Sequence, residues 1–354
     1  MTPELGIIEG FFGRPWSWAA RREAVRFLRP HGYLFYLYAP KGDAFLRRRW
    51  RDPYPEEALE ALGLFAKACR AEGVRFGVGL TPFELHLHPD RSWREDLAAK
   101  LRQLGQLKPD DLAILFDDMR GDVPELAERQ AAIVHAAAET GVARRILTCP
   151  SYYSDDPILD VAFGARPAGY LERLGTLLDP AIEMMWTGEE VCARQFTPGH
   201  LARVAEAMRR RPFLWDNYPV NDGARMAQHL HLRAFTGRPS EIGALIAGHG
   251  VNPASQPLLS RVPLLTLAES YARGEAYEYG AAFERAAREV LGPELAERVQ
   301  RDLLTLQDRG RDRLGERLAT LRERYAAFDH PAAREVVAWL DGHWEVTDAL
   351  VQTQ

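Results

Sequence analysis

DLAILFDDMRGDVPELAERQAAIVHAAAETGVARRILTCPSYY (111–153) is the stretch on which the fold turns. An apolar run, 112–116, ends on two aspartates. A helical pattern then runs from Pro124 to Glu139, and a second apolar run, 146–149, ends on Pro150-Ser151-Tyr152-Tyr153. A short apolar run, an amphipathic helix and another short apolar run spell a parallel strand pair with a crossover helix. The unit repeats outward in both directions. Apolar runs recur at 5–12, 33–39, 74–80, 182–186, 213–215 and, more weakly, 244–248. Helical patterns lie between them at Trp18 to Leu28, Pro55 to Cys69, Trp93 to Leu107, Gly169 to Leu178 and Pro198 to Arg210. Ser17, Ser92 and Thr197 with Pro198 stand where helix starts want a cap or a first-turn proline. Eight such runs predict an α/β fold, a closed (β/α)8 barrel of the TIM type, over residues 1–272.

The pattern changes beyond 272. Glu275 to Gln307, Arg311 to Phe328 and Ala332 to Leu350 read as helices rich in Ala, Arg, Glu and Leu, without a strand signal. Residues 273–354 are therefore expected to form an α-helical C-terminal region, packed on the barrel or used to make a homodimer.

The bulk numbers exclude several classes. A formal net charge of −5 and a pI near 6.1 lack the basic footprint of a nucleic-acid binder. The arginine clusters at 47–51 and 209–211 lie beside helical stretches and read as solvated charge. Cys69, Cys149 and Cys192 give neither a disulfide framework nor a metal spacing. His86 with His88, and His229 with His231, stand two apart without an acidic ligand pattern and read as surface or structural. No metal and no cofactor are expected. The N-terminus lacks a secretion signal, and no stretch reaches the ~20 apolar residues of a membrane span. A cytoplasmic protein that does not engage membranes is the expectation.

Polar, aromatic and glycine residues follow the apolar runs in phase. They are Glu9-Gly10, Pro40-Lys41-Gly42-Asp43, Asp117-Asp118, Pro150 to Tyr153, Thr187-Gly188, Asp216-Asn217-Tyr218 with Asn221-Asp222, and Asn252-Pro253. In a barrel of this type the C-terminal strand ends form one face, and sites are built there. Trp186, Trp215, Tyr153 and Tyr218 offer flat apolar faces suited to a sugar ring, and Asp, Asn and Lys offer bonds to its hydroxyls. Asp117 and Asp118 are consecutive, so on a straight strand they would face apart. At a strand end the chain turns, and both can reach one cavity. Two close carboxylates resist ionising together, which makes one of them a proton donor near neutral pH. The pair by itself reads equally well as a metal site or a helix cap.

Seven motifs carry a resemblance. GIIEGFFGRPW (6–16), YLYAPKGD (36–43), ILFDDM (114–119), CPSYY (149–153), MWTGEEV (185–191), LWDNYPVND (214–222) and VNP (251–253) follow the order and spacing of glycoside hydrolase family 84 over roughly residues 4–272. That family hydrolyses O-linked N-acetylglucosamine from proteins and includes bacterial relatives labelled hyaluronidases. The resemblance implies a retaining exo-β-N-acetylglucosaminidase in which the substrate's own acetamido group is the nucleophile and forms an oxazoline. It implies that Asp117 holds the acetamido N–H and that Asp118 is general acid, then general base. Tyr153 would bond the acetamido carbonyl, and Asn217 would sit beside the acetamido group and the acid. Lys41 and the Gly10 carbonyl would take the 3-hydroxyl, Asp222 and Asn252 the 4- and 6-hydroxyls. Trp215 would form the floor, Thr187 would line the methyl pocket, and Cys149 and Val191 would lie at the rim.

A buried Asp and Asn on the 4- and 6-hydroxyls would select a terminal sugar, because a residue on O4 would leave them unpaired at about 1–3 kcal/mol each. The substrate class expected is an N-acetylglucosaminide, on a glycoprotein or a small glycoside. Phe12 stands where the family has Tyr, Gly42 replaces the first Asp of the family's AP-K-D-D, and Ser151-Tyr152 replace Thr-Glu. These departures bear on the leaving-group side. An endo-acting hyaluronidase-like hydrolase and an inactive sugar-binding barrel are the alternatives.

Overall fold

The computed structural model describes residues 2–354. Strands β1 (Leu5–Glu9), β2 (Tyr33–Tyr38), β3 (Arg75–Leu80), β4 (Asp111–Leu115), β5 (Arg145–Cys149), β6 (Glu183–Trp186), β7 (Phe213–Asp216) and β8 (Gly248–Val251) run parallel and close into one barrel in chain order. β8 completes the ring by pairing with both β7 and β1. The expected (β/α)8 barrel is present. Each strand is buried on both faces, as a parallel sheet under helices must be, which is why the strands read as continuous apolar runs.

β8 lies four residues later than expected. Ser240–Ala244 forms a 3-10 turn, and the strand is Gly-His-Gly-Val. Its side chains are missing because neighbours fill their space. A Cβ on Gly248 would fall 2.4 Å from the Phe213 ring, and one on Gly250 would fall 2.3 Å from Ile8. Such a strand carries no hydrophobic signal.

Two of the three predicted helix caps form. The Ser17 hydroxyl accepts from the Ala20 N–H at 3.2 Å, and Thr197 accepts from His200 at 3.3 Å. Ser92 instead bonds Asp90 and Asp96, its own backbone being nearly helical, so it caps nothing.

The three long C-terminal helices are interrupted. Gly292-Pro293 divides Tyr279–Leu291 from Pro293–Leu303, Gly310 and Gly315 take positive φ before the shorter helix Arg317–Ala326, and Gly342 does so between Pro331–Leu340 and Asp348–Thr353. This region is docked on the barrel's upper loops. Trp339 Nε1 donates to the Ala227 carbonyl at 3.0 Å, and the Glu335 carboxylate accepts from Leu258 and Leu259 N–H. Gln307 Oε1 accepts from Leu232 and Arg233 at 2.8 and 2.9 Å. No described helix is long and apolar enough to cross a membrane.

The lower end of the barrel is closed by charge over aromatics. Arg145 bridges Glu4 and Glu183 at 2.9 and 2.6 Å, Arg75 bridges Glu4 and Asp111, and the two guanidiniums lie over Phe213 and Phe35. That end is plugged. The polar strand ends gather at the opposite end.

Candidate active site

One cavity of about 140 Å³ opens at the C-terminal ends of the strands. The loop after β1 brings Gly10 and Phe12 to it, and the loop after β2 brings Lys41. β4 ends on Asp117 and Asp118. Cys149 and Tyr153 come from β5, Thr187 and Val191 from β6. Trp215, Asn217 and Asp222 come from β7, and Asn252 from β8. Every residue to which the family resemblance gives a role lines this one cavity. Cys192 and Val220 line it as well and were not anticipated, although Cys192 adjoins Val191 and Val220 sits inside the WDNYPVND motif.

The two aspartates reach the same cavity because the backbone turns between them. Asp118 has φ of +57°, in the left-handed region that Asp tolerates better than most residues. The carboxylates then sit in different surroundings. Asp117 is buried, with its side chain 7% exposed, whereas Asp118 is 26% exposed. Lys41 Nζ contacts Asp117 Oδ2 closely and lies 3.6 Å from Asp118 Oδ2, so one ammonium serves both. The Tyr153 hydroxyl donates to Asp118 Oδ1 at 2.8 Å. Burial holds the Tyr153 phenol well above its usual range, so it remains a protonated donor. Asp117 Oδ1 is buried and has no partner in the protein. A buried acceptor left open is costly, and a ligand N–H would repay it.

The opposite wall is a chain of amides. Asn252 Nδ2 donates to Asn217 Oδ1 at 3.0 Å, Asn217 Nδ2 to the Val191 carbonyl at 2.9 Å, and Gly10 N–H to Asn252 Oδ1 at 3.2 Å. Asp222 Oδ2 accepts from Phe12 N–H at 2.8 Å. Loss of solvent around Asp222 pushes its carboxyl up to about 6, and the nearby Asp118 adds to the effect.

Charged pairs below the cavity hold these loops. Glu9 is fully buried and does not face the cavity. Its carboxylate takes Arg21 through two bonds, the Tyr36 hydroxyl and the Trp16 N–H, and so pins the turn that carries Gly10 and Phe12. Asp216 is equally buried. Arg238 lies at 2.6 and 2.9 Å from it and holds its carboxyl below the usual range, with His249 adding a bond at 3.0 Å. This pair fixes Trp215 and Asn217 on either side.

Gly10 is dictated by contact. A Cβ there would lie 2.3 Å from Trp215 Cζ2 and 2.8 Å from Cη2, and the ring has buried neighbours behind it. Gly10→Ala is expected to lower stability by about 1–3 kcal/mol through overpacking. A denaturant midpoint unchanged from the parent protein would show that the ring can move away.

Not every side chain at these strand ends faces the cavity. Trp186 is fully buried, donating Nε1 to His200 Nε2 at 3.0 Å, and Tyr218 stacks on His231 with its hydroxyl on the Arg233 carbonyl. Neither lines the cavity, because on the strand and on the turn each faces away from it. His86 is structural, with Nε2 on the Arg120 carbonyl at 2.7 Å. His229 and His231 likewise bond backbone carbonyls. The 47–51 cluster is not uniformly solvated: Arg47 is only 3% exposed. In the 209–211 cluster, Arg210 is half-buried and donates to five carbonyls, at Gly175, Leu178, Asp179, Ile182 and Met208.

A sugar-sized polar cavity with a carboxylate pair at the upper end of a (β/α)8 barrel defines a glycoside-hydrolase type of site. Comparison with known proteins specifies the type. A family model described as beta-N-acetylglucosaminidase matches residues 5–306, and the chain belongs to that family of glycoside hydrolases. The protein O-GlcNAcases of Rattus norvegicus and Mus musculus are each 29% identical to it over 276 residues. The match covers 75% of this chain and 30% of the length of those relatives. A mutant of the Thermobaculum terrenum O-GlcNAc hydrolase superposes with a TM-score of 0.79 at 26% identity, over 96% of this chain and 80% of that one. The family read from the seven motifs is the family found.

Proposed function

We propose that the chain is a retaining exo-β-N-acetylglucosaminidase that removes terminal β-linked N-acetylglucosamine through an oxazoline. The observation that carries this reading is Asp117 Oδ1, a buried carboxylate oxygen without a protein partner in the cavity wall. It wants an N–H donor that can become positive, and the acetamido nitrogen is such a group.

In the first step the acetamido carbonyl oxygen attacks the anomeric carbon. The glycosidic C–O bond breaks as Asp118 gives its proton to the leaving oxygen. Asp117 stays ionised beside the nitrogen, where positive charge develops, and its contact with Lys41 supports that form. In the second step water attacks the anomeric carbon, Asp118 takes its proton, and the oxazoline reopens to the acetamido group. Tyr153 has one proton to donate, now placed on Asp118. When the acetamido carbonyl arrives, that hydroxyl turns to it and frees Asp118 for the leaving oxygen. Lys41 keeps a hydrogen for the 3-hydroxyl, with the Gly10 carbonyl beside it. Thr187 lines the methyl side, Cys149, Val191 and Phe12 the rim, and Trp215 the floor.

The decisive assay compares an aryl N-acetylglucosaminide with intact hyaluronan. Turnover of the first and not the second is expected. Cleavage of hyaluronan alone would favour an endo-hydrolase, and no turnover of the aryl glycoside would sink the reading.

Asp222 adds a pH dependence. Its carboxyl is pushed up to about 6, so it gains its charge as pH rises through 6. An ionised carboxylate is the better acceptor for the 4- and 6-hydroxyls. Affinity for a competitive N-acetylglucosamine-derived inhibitor is therefore expected to rise between pH 5 and pH 7. Asp222→Asn should weaken binding and flatten that limb. A variant with the parental limb would assign the titration to another group.

A further inference from the structure

Arg47 belongs to a basic run whose other arginines face solvent, yet it is buried beside the catalytic turn. Among the described residues no carboxylate lies within ion-pair distance of it. Nη2 donates to the Asp118 carbonyl oxygen at 3.3 Å, while Nε and Nη1 are buried without partners. The guanidinium lies over the rings of Phe83 at 5.1 Å and Phe12 at 5.8 Å. A buried cation without a counter-ion is expensive, and its surroundings here are built to keep it. Asp43 caps the 3-10 turn Ala44–Leu46 that leads into Arg47, accepting from the Phe45 N–H at 3.1 Å. The Leu46 carbonyl accepts from Thr81 N–H at 2.7 Å, and the Arg47 carbonyl accepts from Trp50 N–H at 3.1 Å. The side chain is thus fixed at its root and sandwiched at its head.

Its one hydrogen bond falls on the peptide of the residue with φ of +57°. That conformation sets where the Asp118 carboxyl points, since Asp117 is held separately through its contact with Lys41. We propose that Arg47 is a positioning residue for the acid/base Asp118, clamping its carbonyl so that the carboxyl is aimed at the leaving-group oxygen. His86 on the Arg120 carbonyl holds the same turn two residues further on.

The inference rests on the acid/base reading of Asp118, and the test separates the two. Wild type, Arg47→Met and Arg47→Lys are assayed on an activated aryl N-acetylglucosaminide and on one with a poor leaving group. Misaiming a proton donor by about 1 Å can cost up to about 100-fold. Arg47→Met is expected to lose about 10- to 100-fold in kcat on the poor leaving group and less than about 3-fold on the activated one. KM and the affinity of a competitive inhibitor should stay within about 3-fold. Arg47→Lys, which keeps a donor without the planar fork, should fall between. If Arg47→Met does not fold, Arg47→Lys read on the same two substrates decides. Equal losses on both substrates, or losses that simply follow the melting temperature, would make Arg47 structural and overturn the proposal. A wild type inactive on both substrates would instead overturn the reading of the site.

Discussion

Asp118→Asn is expected to cut kcat/KM for an N-acetylglucosaminide with a poor leaving group by about 10²–10⁴, the usual worth of a positioned acid. On an activated aryl glycoside the first step should be slowed by less than about tenfold. An amide of the same shape can still accept from Tyr153 and still lies 3.6 Å from Lys41, so the turn and the cavity should survive. What it loses is a transferable proton. A poor leaving oxygen departs only as it is protonated, while a stabilised phenolate departs without help. Asp118 is the more exposed of the pair, and so is the member that can exchange its proton with water between the two steps. The measurement is the slope of log kcat/KM against leaving-group pKa, which should steepen in the variant. A parallel drop at every leaving group would remove Asp118 from the acid role.

The site was legible in the sequence to an unusual depth because a parallel barrel puts all its strand ends on one face. Once the apolar runs are counted, the residues that follow them must meet. That is how Gly10, Lys41, Asp117, Tyr153, Trp215 and Asn252, spread over most of the chain, could be assigned to one cavity. What stayed hidden has a common cause. Sequence position says which strand end a residue occupies, not which way its side chain leaves it. Glu9 and Asp216 sit at strand ends like Asp117, yet each turns under the cavity to hold an arginine. Trp186 turns toward His200. β8 was displaced because its place is defined by space that Phe213 and Ile8 occupy, which leaves glycine and no pattern. Arg47 hides for a related reason. A basic side chain beside a helix is usually solvated, and only tertiary contact shows that this one reaches the Asp118 carbonyl. The expected C-terminal helices run too long because Ala, Glu, Arg and Leu favour helix through Gly292, Gly315 and Gly342, where the chain takes the positive φ that glycine allows.

Asp117→Asn is expected to lose about 10²–10³ in kcat, the scale on which a preorganised group facing developing charge counts, and to lose it whatever the leaving group. As the oxazoline forms, the amide nitrogen gains positive charge, and a carboxylate beside it stabilises that charge where a neutral amide cannot. Asp117 is placed for this, since Lys41 is buried against one of its oxygens and the second is open to an incoming N–H. The substitution has one side effect. It frees Lys41 to lean on Asp118, already 3.6 Å away, and a cation drawn onto that carboxyl competes with the leaving oxygen for it. Poor leaving groups would feel that second loss, so the activated glycoside is the substrate that isolates the first. A full loss there, where protonation matters little, is the expected result. The companion measurement uses aryl glucoside, which lacks the acetamido group. The wild type should cleave it far more slowly than the N-acetyl substrate, and Asp117→Asn should narrow that gap by slowing only the latter. If glucoside and N-acetylglucosaminide were cleaved alike by the wild type, the sugar's own amide would not be the nucleophile, and the open oxygen of Asp117 would need another partner.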